Sequence, residues 1–348
     1  MSAGAHIVAP RRLGASRILL ALGAALLVVS LTALLLGRYD LAPGEGLRAV
    51  LSVLGLASGQ GVDPTLLALL AEVRAPRVLA AVLIGAALAA SGAAFQALFM
   101  NPLVSPGVLG VLSGAAFGAA LGMVLFEHWL WIQTSAFVFG LAAVGVALWL
   151  ARQGGVSSLT LLVLGGMISA ALFSAFLSIV KYVADPYNTL PAIVYWLMGS
   201  LAVLDAQTLA WVAPAMAAGV LLLSLFGHAL NVLSLGDDEA HALGFNVGRT
   251  RLAVILLATF LGATTVVLGG MIAWVGLVIP HVARLLFGAD NRLLLPASAL
   301  LGGIYLVLVD GAARLALSVE IPLGILTALI GLPVFAWALR RVQRGWAG

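Results

Sequence analysis

Runs of about 20 predominantly apolar residues, each bounded by charged or turn-forming positions, recur along the whole 348-residue chain. A helix rising 1.5 Å per residue needs roughly that length to cross the hydrocarbon of a bilayer. Ten such runs predict ten membrane helices, at 18–36, 78–99, 108–126, 132–150, 159–183, 208–230, 252–268, 270–287, 293–309 and 321–339. The first run exceeds the 7–15 apolar residues of a signal peptide and no small-residue cleavage site follows it, so a retained helix is expected.

Ten spans place both termini on one side. With the N-terminus inside, the cytoplasmic segments carry Arg11, Arg12, Arg17, Arg152, Arg249, Arg251, Arg284, Arg292, Arg340, Arg341 and Arg344. The outer segments carry Arg38, Arg48, Arg74, Arg77, Lys181 and Arg314. Eleven basic residues against six follows the positive-inside bias and predicts an N-in, C-in orientation.

Composition sharpens this picture. Hydrophobic residues make up 63% of the chain and charged residues 9%, with a mean hydropathy of +1.17. Soluble domains are about 25% charged. A water-soluble protein is excluded, and residues 1–348 read as a single all-α polytopic membrane domain. The 40 glycines suit helices whose backbones approach closely in lipid. A net charge of +4 is spread over span ends without a patch or interleaved aromatics, so no nucleic-acid partner is expected.

Candidate chemistry is sparse. The single lysine, Lys181, is followed by Tyr182, whereas a P-loop nucleotide site needs lysine followed by Ser or Thr. The five histidines are dispersed, with no H-E-x-x-H or G-x-S-x-G pattern, and cysteine is absent. No catalytic, cofactor or metal site is expected. The centres of the ten runs contain no Asp, Glu, Lys or Arg, which speaks against a proton-driven transporter, although Na⁺ sites built from carbonyls and hydroxyls leave an ion-driven carrier open.

Three stretches carry a specific pattern. The first runs from Arg74-Ala-Pro-Arg77 through Gly85, Ser91-Gly92 and Gln96 to Asn101-Pro-Leu-Val-Ser-Pro106 and Gly110. The second is Gly236-Asp-Asp-Glu-Ala-His-Ala-Leu-Gly244 followed by Arg249. The third is Gly269-Gly-Met-Ile-Ala-Trp-Val-Gly-Leu-Val-Ile-Pro-His281 with Arg284, Asp290-Asn-Arg292 and Pro296. Together, from about Arg74 to Arg340, they resemble the permease subunits of type II ABC importers, the FecCD family, which carry cobalamin, ferric siderophores and haem.

The resemblance implies ten helices per subunit and a multi-pass location in the bacterial inner membrane. It also implies a second permease subunit in a homodimer or a pair, two cytoplasmic ATPase subunits that bind ATP and Mg²⁺, and a periplasmic substrate-binding protein. No cofactor is implied for this chain. On cargo, an apolar pathway with hydroxyls and aromatics favours an iron chelate, haem slightly ahead of a ferric siderophore, with cobalamin as the alternative.

The same resemblance assigns candidate residues. Residues 231–251 would form a cytoplasmic coupling segment, with Asp237, Asp238, Glu239, Ala240, Leu243, Gly244 and Phe245 meeting an ATPase. The carboxylates suit a helix N-terminus and Gly244 a left-handed cap; without the resemblance an ordinary surface loop is the readier explanation, and with it the coupling helix is favoured. Arg249 and Arg251 read as positive-inside anchors. Arg74, Arg77 and Arg314 match arginines that face glutamates of the binding protein, or they pair with Glu72 and Asp310. The pathway would be lined by the fifth span, the short helix after it and the tenth span, through Leu159, Met167, Phe173, Tyr195 and Trp196, and gated near Ser157 and Ser158. Packing or lipid contact remains an equal reading of the aromatic and Met side chains. Pro280-His281 with Arg284 reads as a hydrogen-bonded structural cluster.

Overall fold

The computed structural model describes residues 13–37, 43–53, 55–58, 60–152, 159–202 and 204–346, the side chains of Leu13, Pro43 and 337–346 excepted. All regular structure among them is helical. α1 spans Leu13–Leu35, α2 Pro43–Val53 and α3 Pro64–Ala68; a π-helical turn at Leu69–Arg74 leads into α4, Ala75–Leu98. A 3-10 turn, Pro106–Leu109, precedes α5, Val111–Leu125, followed by α6, Trp129–Arg152, and α7, Leu159–Val183. The short α8, Thr189–Leu197, leads to α9, Ala206–Leu225, α10, Gly227–Leu233, and α11, Asp237–Ala242. α12, Val247–Gly269, α13, Val275–Phe287, α14, Asn291–Leu315, and α15, Leu323–Trp346, complete the chain.

Among the described residues, seven helices are long and apolar enough to cross a membrane, accompanied by three shorter apolar helices at Val111–Leu125, Val275–Phe287 and Leu323–Ala336. Each of the ten runs read from hydropathy therefore contains a helix, but several boundaries move. The run at 108–126 starts its helix only at Val111, because Gly110 adopts φ +85° after the 3-10 turn. The run at 270–287 loses its first turn to Gly270 and Trp274, both at positive φ. The run at 208–230 breaks at Phe226 into α9 and α10.

α4 sits at the centre, packed by α14, α12, α13 and α9. Its small residues permit this: a Cβ on Gly85 would lie 2.1 Å from the carbonyl oxygen of Gly302 in α14, and one on Gly302 would lie 2.2 Å from that of Gly85. Lipid supplies no hydrophobic drive between helices, so such backbone-to-backbone contact carries the association. The π turn just before Pro76 has a local cause. Proline cannot donate to the carbonyl four residues back and its ring crowds it, and a widened turn accommodates both.

α14 begins with Asp290 as N-cap, accepting from Arg292 N at 3.0 Å while Asn231 Nδ2 donates to it at 2.7 Å. The Arg292 side chain and then Asn231 hold its carboxyl well below the usual carboxylate range. A depressed carboxylate contributes stability above its unfolded pKa and loses that contribution as pH falls through the folded value. Asp290→Ala is thus expected to cost about 1 kcal/mol at neutral pH. Melting temperatures across pH 7 to 3 should show the gap to wild type closing toward the acid end.

Candidate functional site

Arg77 on α4 faces Asp310 on α14, with Nε donating to Oδ1 at 3.0 Å and Nη2 2.9 Å from the same oxygen. Its outer fork engages Glu320, Nη1 to Oε1 at 3.1 Å and Nη2 to Oε2 at 2.9 Å. Arg314, one turn beyond Asp310, places Nε 3.1 Å from Oδ2 and donates through Nη1 to the Leu36 carbonyl at 3.3 Å. Arg74, in the π turn, donates to the Leu34 and Leu35 carbonyls at 2.9 and 3.2 Å. These are the last carbonyls of α1, left without intrahelical partners and at the negative end of its dipole. The three arginines predicted as docking residues thus come together, and each is buried, at 5–8% exposure. Of the two partners proposed for them from sequence, Asp310 is engaged; Glu320, which sequence reasoning passed over, takes the second place.

The opposite end of the bundle holds α11. The Asn231 and Asp290 contact ties the segment before α11 to the start of α14, whereas Arg77 sits at that helix's end. The 20 residues from Asp290 to Asp310 along α14 separate the two by roughly 30 Å. Gly236 leads into α11 at φ +124° and Gly244 ends it at φ +83°. Arg251 on α12 clamps Asp237 with both fork nitrogens, at 2.9 and 2.6 Å. Arg251 is therefore a fastening residue and not merely a charge anchor; sequence offers no signal linking two residues across an intervening turn. Ala240 is fully buried and packs within its own chain, so it is not open to a partner. Phe245 is half-buried, its ring 5.9 Å from His228. Asp238, Glu239 and Gly244 are exposed and Leu243 stands out at 60% exposure.

Along α7 the small residues and the large ones part company. Gly165, Gly166 and Ser169 are buried, Ser169 Oγ donating to the Ala143 carbonyl of α6 at 2.6 Å. The small face is a packing face. Phe173 is also buried, with ring centroids 5.8 Å from Phe117 and 6.0 Å from Phe176, inside an aromatic cluster and away from the open side. Leu164, Met167, Ile168, Leu172 and Ile179 form an exposed apolar stripe instead. Tyr195 of α8 is exposed, while Trp196 and Leu159 are half-buried. Ser157 and Ser158 lie outside the described residues. His281 is buried with its ring 6.1 Å from Phe335, and neither of its ring nitrogens has a hydrogen-bond partner among the described residues, so the hydrogen-bonded cluster expected there is not formed.

The end of α8, the turn after α12 and the start of α15 meet in a backbone knot. Ser200 N donates to Gly269 O at 3.0 Å, Leu323 N to Gly199 O at 2.9 Å and Gly324 N to Met198 O at 3.0 Å. Gly199 and Gly270 sit at φ +74° and +68°, and a Cβ on Gly270 would lie 2.5 Å from Trp196 O. Only glycine permits both the conformation and the approach. Two of the three elements that the sequence reading placed around a pathway, α8 and α15, are thereby joined at one point, together with the turn after α12.

The profile of the FecCD transport family matches residues 25–341. The molybdate import permease MolB of Haemophilus influenzae is 39% identical over 94% of this chain and 97% of its own length. The vitamin B12 import permease BtuC of Vibrio cholerae is 40% identical over 78% of this chain and 82% of its own. A solved metal-chelate type ABC transporter in an inward-facing conformation superposes with a TM-score of 0.83 at 37% identity, covering 94% of this chain and 99% of that one.

Proposed function

The chain belongs to the FecCD transport family, a multi-pass permease subunit of an ABC importer and not itself an enzyme, and from that membership we propose how its two ends work. Ten helices cross the membrane with both termini in the cytoplasm. A second copy of the chain covers the apolar stripe of α7, and the cargo passes between the two subunits beside α7, α8 and α15. Two cytoplasmic ATPase subunits supply ATP and Mg²⁺ chemistry, and a binding protein delivers cargo at the opposite face. The observation that carries this reading is α11, a six-residue helix clamped to α12 by the Asp237 and Arg251 pair and presenting Leu243 outward. A rigidly held helix with an exposed apolar residue suits insertion in a partner's groove and the transfer of a rigid-body motion.

At the other end, the Arg74, Arg77 and Arg314 cluster is the face at which the binding protein docks, through acidic residues of its own. The arginines act through their field, since their forks are already engaged inside the subunit. The cargo is a metal-centred solute. The names of the relatives, molybdate and vitamin B12 importers, widen the haem-leaning reading of the sequence. The apolar stripe with Met167 supports a non-adhesive wall and picks out no single cargo.

The test is reconstitution with the cognate ATPase and binding protein and measurement of ATP-driven uptake of molybdate, haem, a ferric siderophore and cobalamin. Leu243→Asp, at an exposed position, is expected to lower uptake more than tenfold while leaving the melting temperature unchanged. Full uptake by that variant, or uptake without the ATPase, would overturn the coupling role.

A further inference from the structure

A groove of about 770 Å³ opens between α6 and α9 over α12. Its walls are apolar, from Phe137 of α6, Trp211, Val212 and Ala215 of α9, and Phe260 and Val267 of α12. Its polar groups gather at one end, where α6 and α9 both begin. Asp205 caps α9, its Oδ2 accepting from Thr208 N at 2.8 Å and from the Thr208 hydroxyl, and its Oδ1 accepting from Gln207 N at 3.3 Å. Gln133 is 6% exposed, and its side-chain amide lies 2.9 Å from the Thr208 hydroxyl oxygen. The groove therefore runs from a polar end at the helix starts to an apolar end near mid-bundle, the order in which a lipid presents headgroup and chain.

Charge selects among lipids. No Lys or Arg lines the groove. The Thr208 hydroxyl holds the Asp205 carboxyl below its ordinary range, so it is ionised at neutral pH. A carboxylate beside an amide and a hydroxyl suits a primary ammonium and opposes a headgroup that is purely anionic. Trp129 and Trp211 flank the cleft, and indole rings favour the level where headgroups meet hydrocarbon. None of the lining residues belongs to α7, α8 or α15, so the groove stays open to the bilayer when a second copy covers the α7 stripe. That last point rests on the dimer face proposed above; the rest does not.

We infer that this groove is a binding site for one aminophospholipid, its ammonium at Asp205 and Gln133 and an acyl chain along Trp211, Ala215 and Phe260. A second, smaller cleft lined by Trp129, Gln133, Trp196, Asp205, Ser200 and Gly270 continues from the polar end to the knot of α8, α12 and α15. A headgroup held at Asp205 thus lies against the junction where those elements meet.

The experiment uses the full chain reconstituted in vesicles of equal phosphatidylethanolamine and phosphatidylglycerol, extracted in mild detergent and read by native mass spectrometry. Wild type is expected to retain one phosphatidylethanolamine with at least tenfold preference. Ala215→Trp, which fills the groove, is expected to lose it. Gln207→Arg, an exposed change beside Asp205, is expected to move the preference to phosphatidylglycerol. A photo-reactive residue in place of Trp211 is expected to form a lipid adduct. Retention in proportion to bilayer content, retention unchanged in Ala215→Trp with both variants melting as wild type, or a protein adduct at position 211 would each overturn the site. None of these readouts involves ATP or cargo, so failure here is separable from failure of the transport reading.

Discussion

Replacing Arg77 by methionine is expected to cost about 3–5 kcal/mol of folding free energy, the range found when one partner of a buried ion pair is removed. Asp310 has a side chain only 2% exposed, and Arg77 meets it with two nitrogens. Methionine keeps the apolar stem and removes the charge, leaving Asp310 buried against Arg314 alone. Two companions make the cause legible. Glu320 is 26% exposed at its side chain, so Glu320→Gln should cost no more than about 1 kcal/mol, as partly solvated pairs do. Asp310→Asn placed in the Arg77→Met background should recover a large part of the loss, because the uncompensated charge is gone; the double-mutant cycle measures the coupling directly. Thermal unfolding of the detergent-solubilised protein reads wild type, Arg77→Met, Asp310→Asn, their double variant and Glu320→Gln. A loss under about 1 kcal/mol in Arg77→Met would show that the ion network is not what joins α4 to α14 at this end.

That outcome also bears on function. A charge change at Arg77 that abolishes stimulation by a binding protein says nothing about docking unless the network survives it. Field effects at the outer face are better probed by salt: attraction between an acidic partner and the arginine cluster weakens as ionic strength rises, whereas the buried Arg77 and Asp310 pair is screened far less.

Hydropathy located the runs that hold the seven long apolar helices and the three shorter ones among the described residues, because a 20-residue apolar stretch has few other uses. It misplaced the starts of α5 and α13 because the deciding feature there is backbone conformation, Gly110 and Gly270 at positive φ, to which an apolar average is blind. The clustering of Arg74, Arg77 and Arg314 was readable only through resemblance; nothing in their spacing brings position 314 to position 77. The clamp of Arg251 on Asp237 and the burial of Ala240 were missed for a related reason. Both depend on which side of α11 turns toward α12, and a six-residue helix is too short for periodicity to say. On α7, Gly165 and Phe173 face inward while Met167 faces out, and an almost wholly apolar helix gives no polar stripe to orient it. Small residues were the better guide, since a glycine marks where a neighbouring backbone comes close.

Gly92 is where that guide makes its strongest claim. A Cβ there would lie 1.8 Å from the carbonyl oxygen of Gly276 on α13, a distance no side chain tolerates. The carbonyl is available for a reason: its helical donor would be the amide of residue 280, and Pro280 has none. With no N–H to meet, the oxygen turns toward the bare Cα of Gly92, and one turn on Gln96 Nε2 donates to the Leu277 carbonyl at 3.1 Å to continue the seam. A methyl group must therefore push α13 away from α4, along a helix 78% buried in its most apolar window. Gly92→Ala is expected to cost about 3 kcal/mol or more, at or above the upper end of overpacking penalties, and to show as a sharp fall in monodisperse protein after detergent extraction. Gly145 of α6, where a Cβ would meet nothing within 4 Å, is the matched control. Gly145→Ala should stay within about 0.5 kcal/mol of wild type. Equal behaviour of the two variants would mean that α4 and α13 can separate without loss, and the close glycine seam would then not be what fixes α13 beside the central helix.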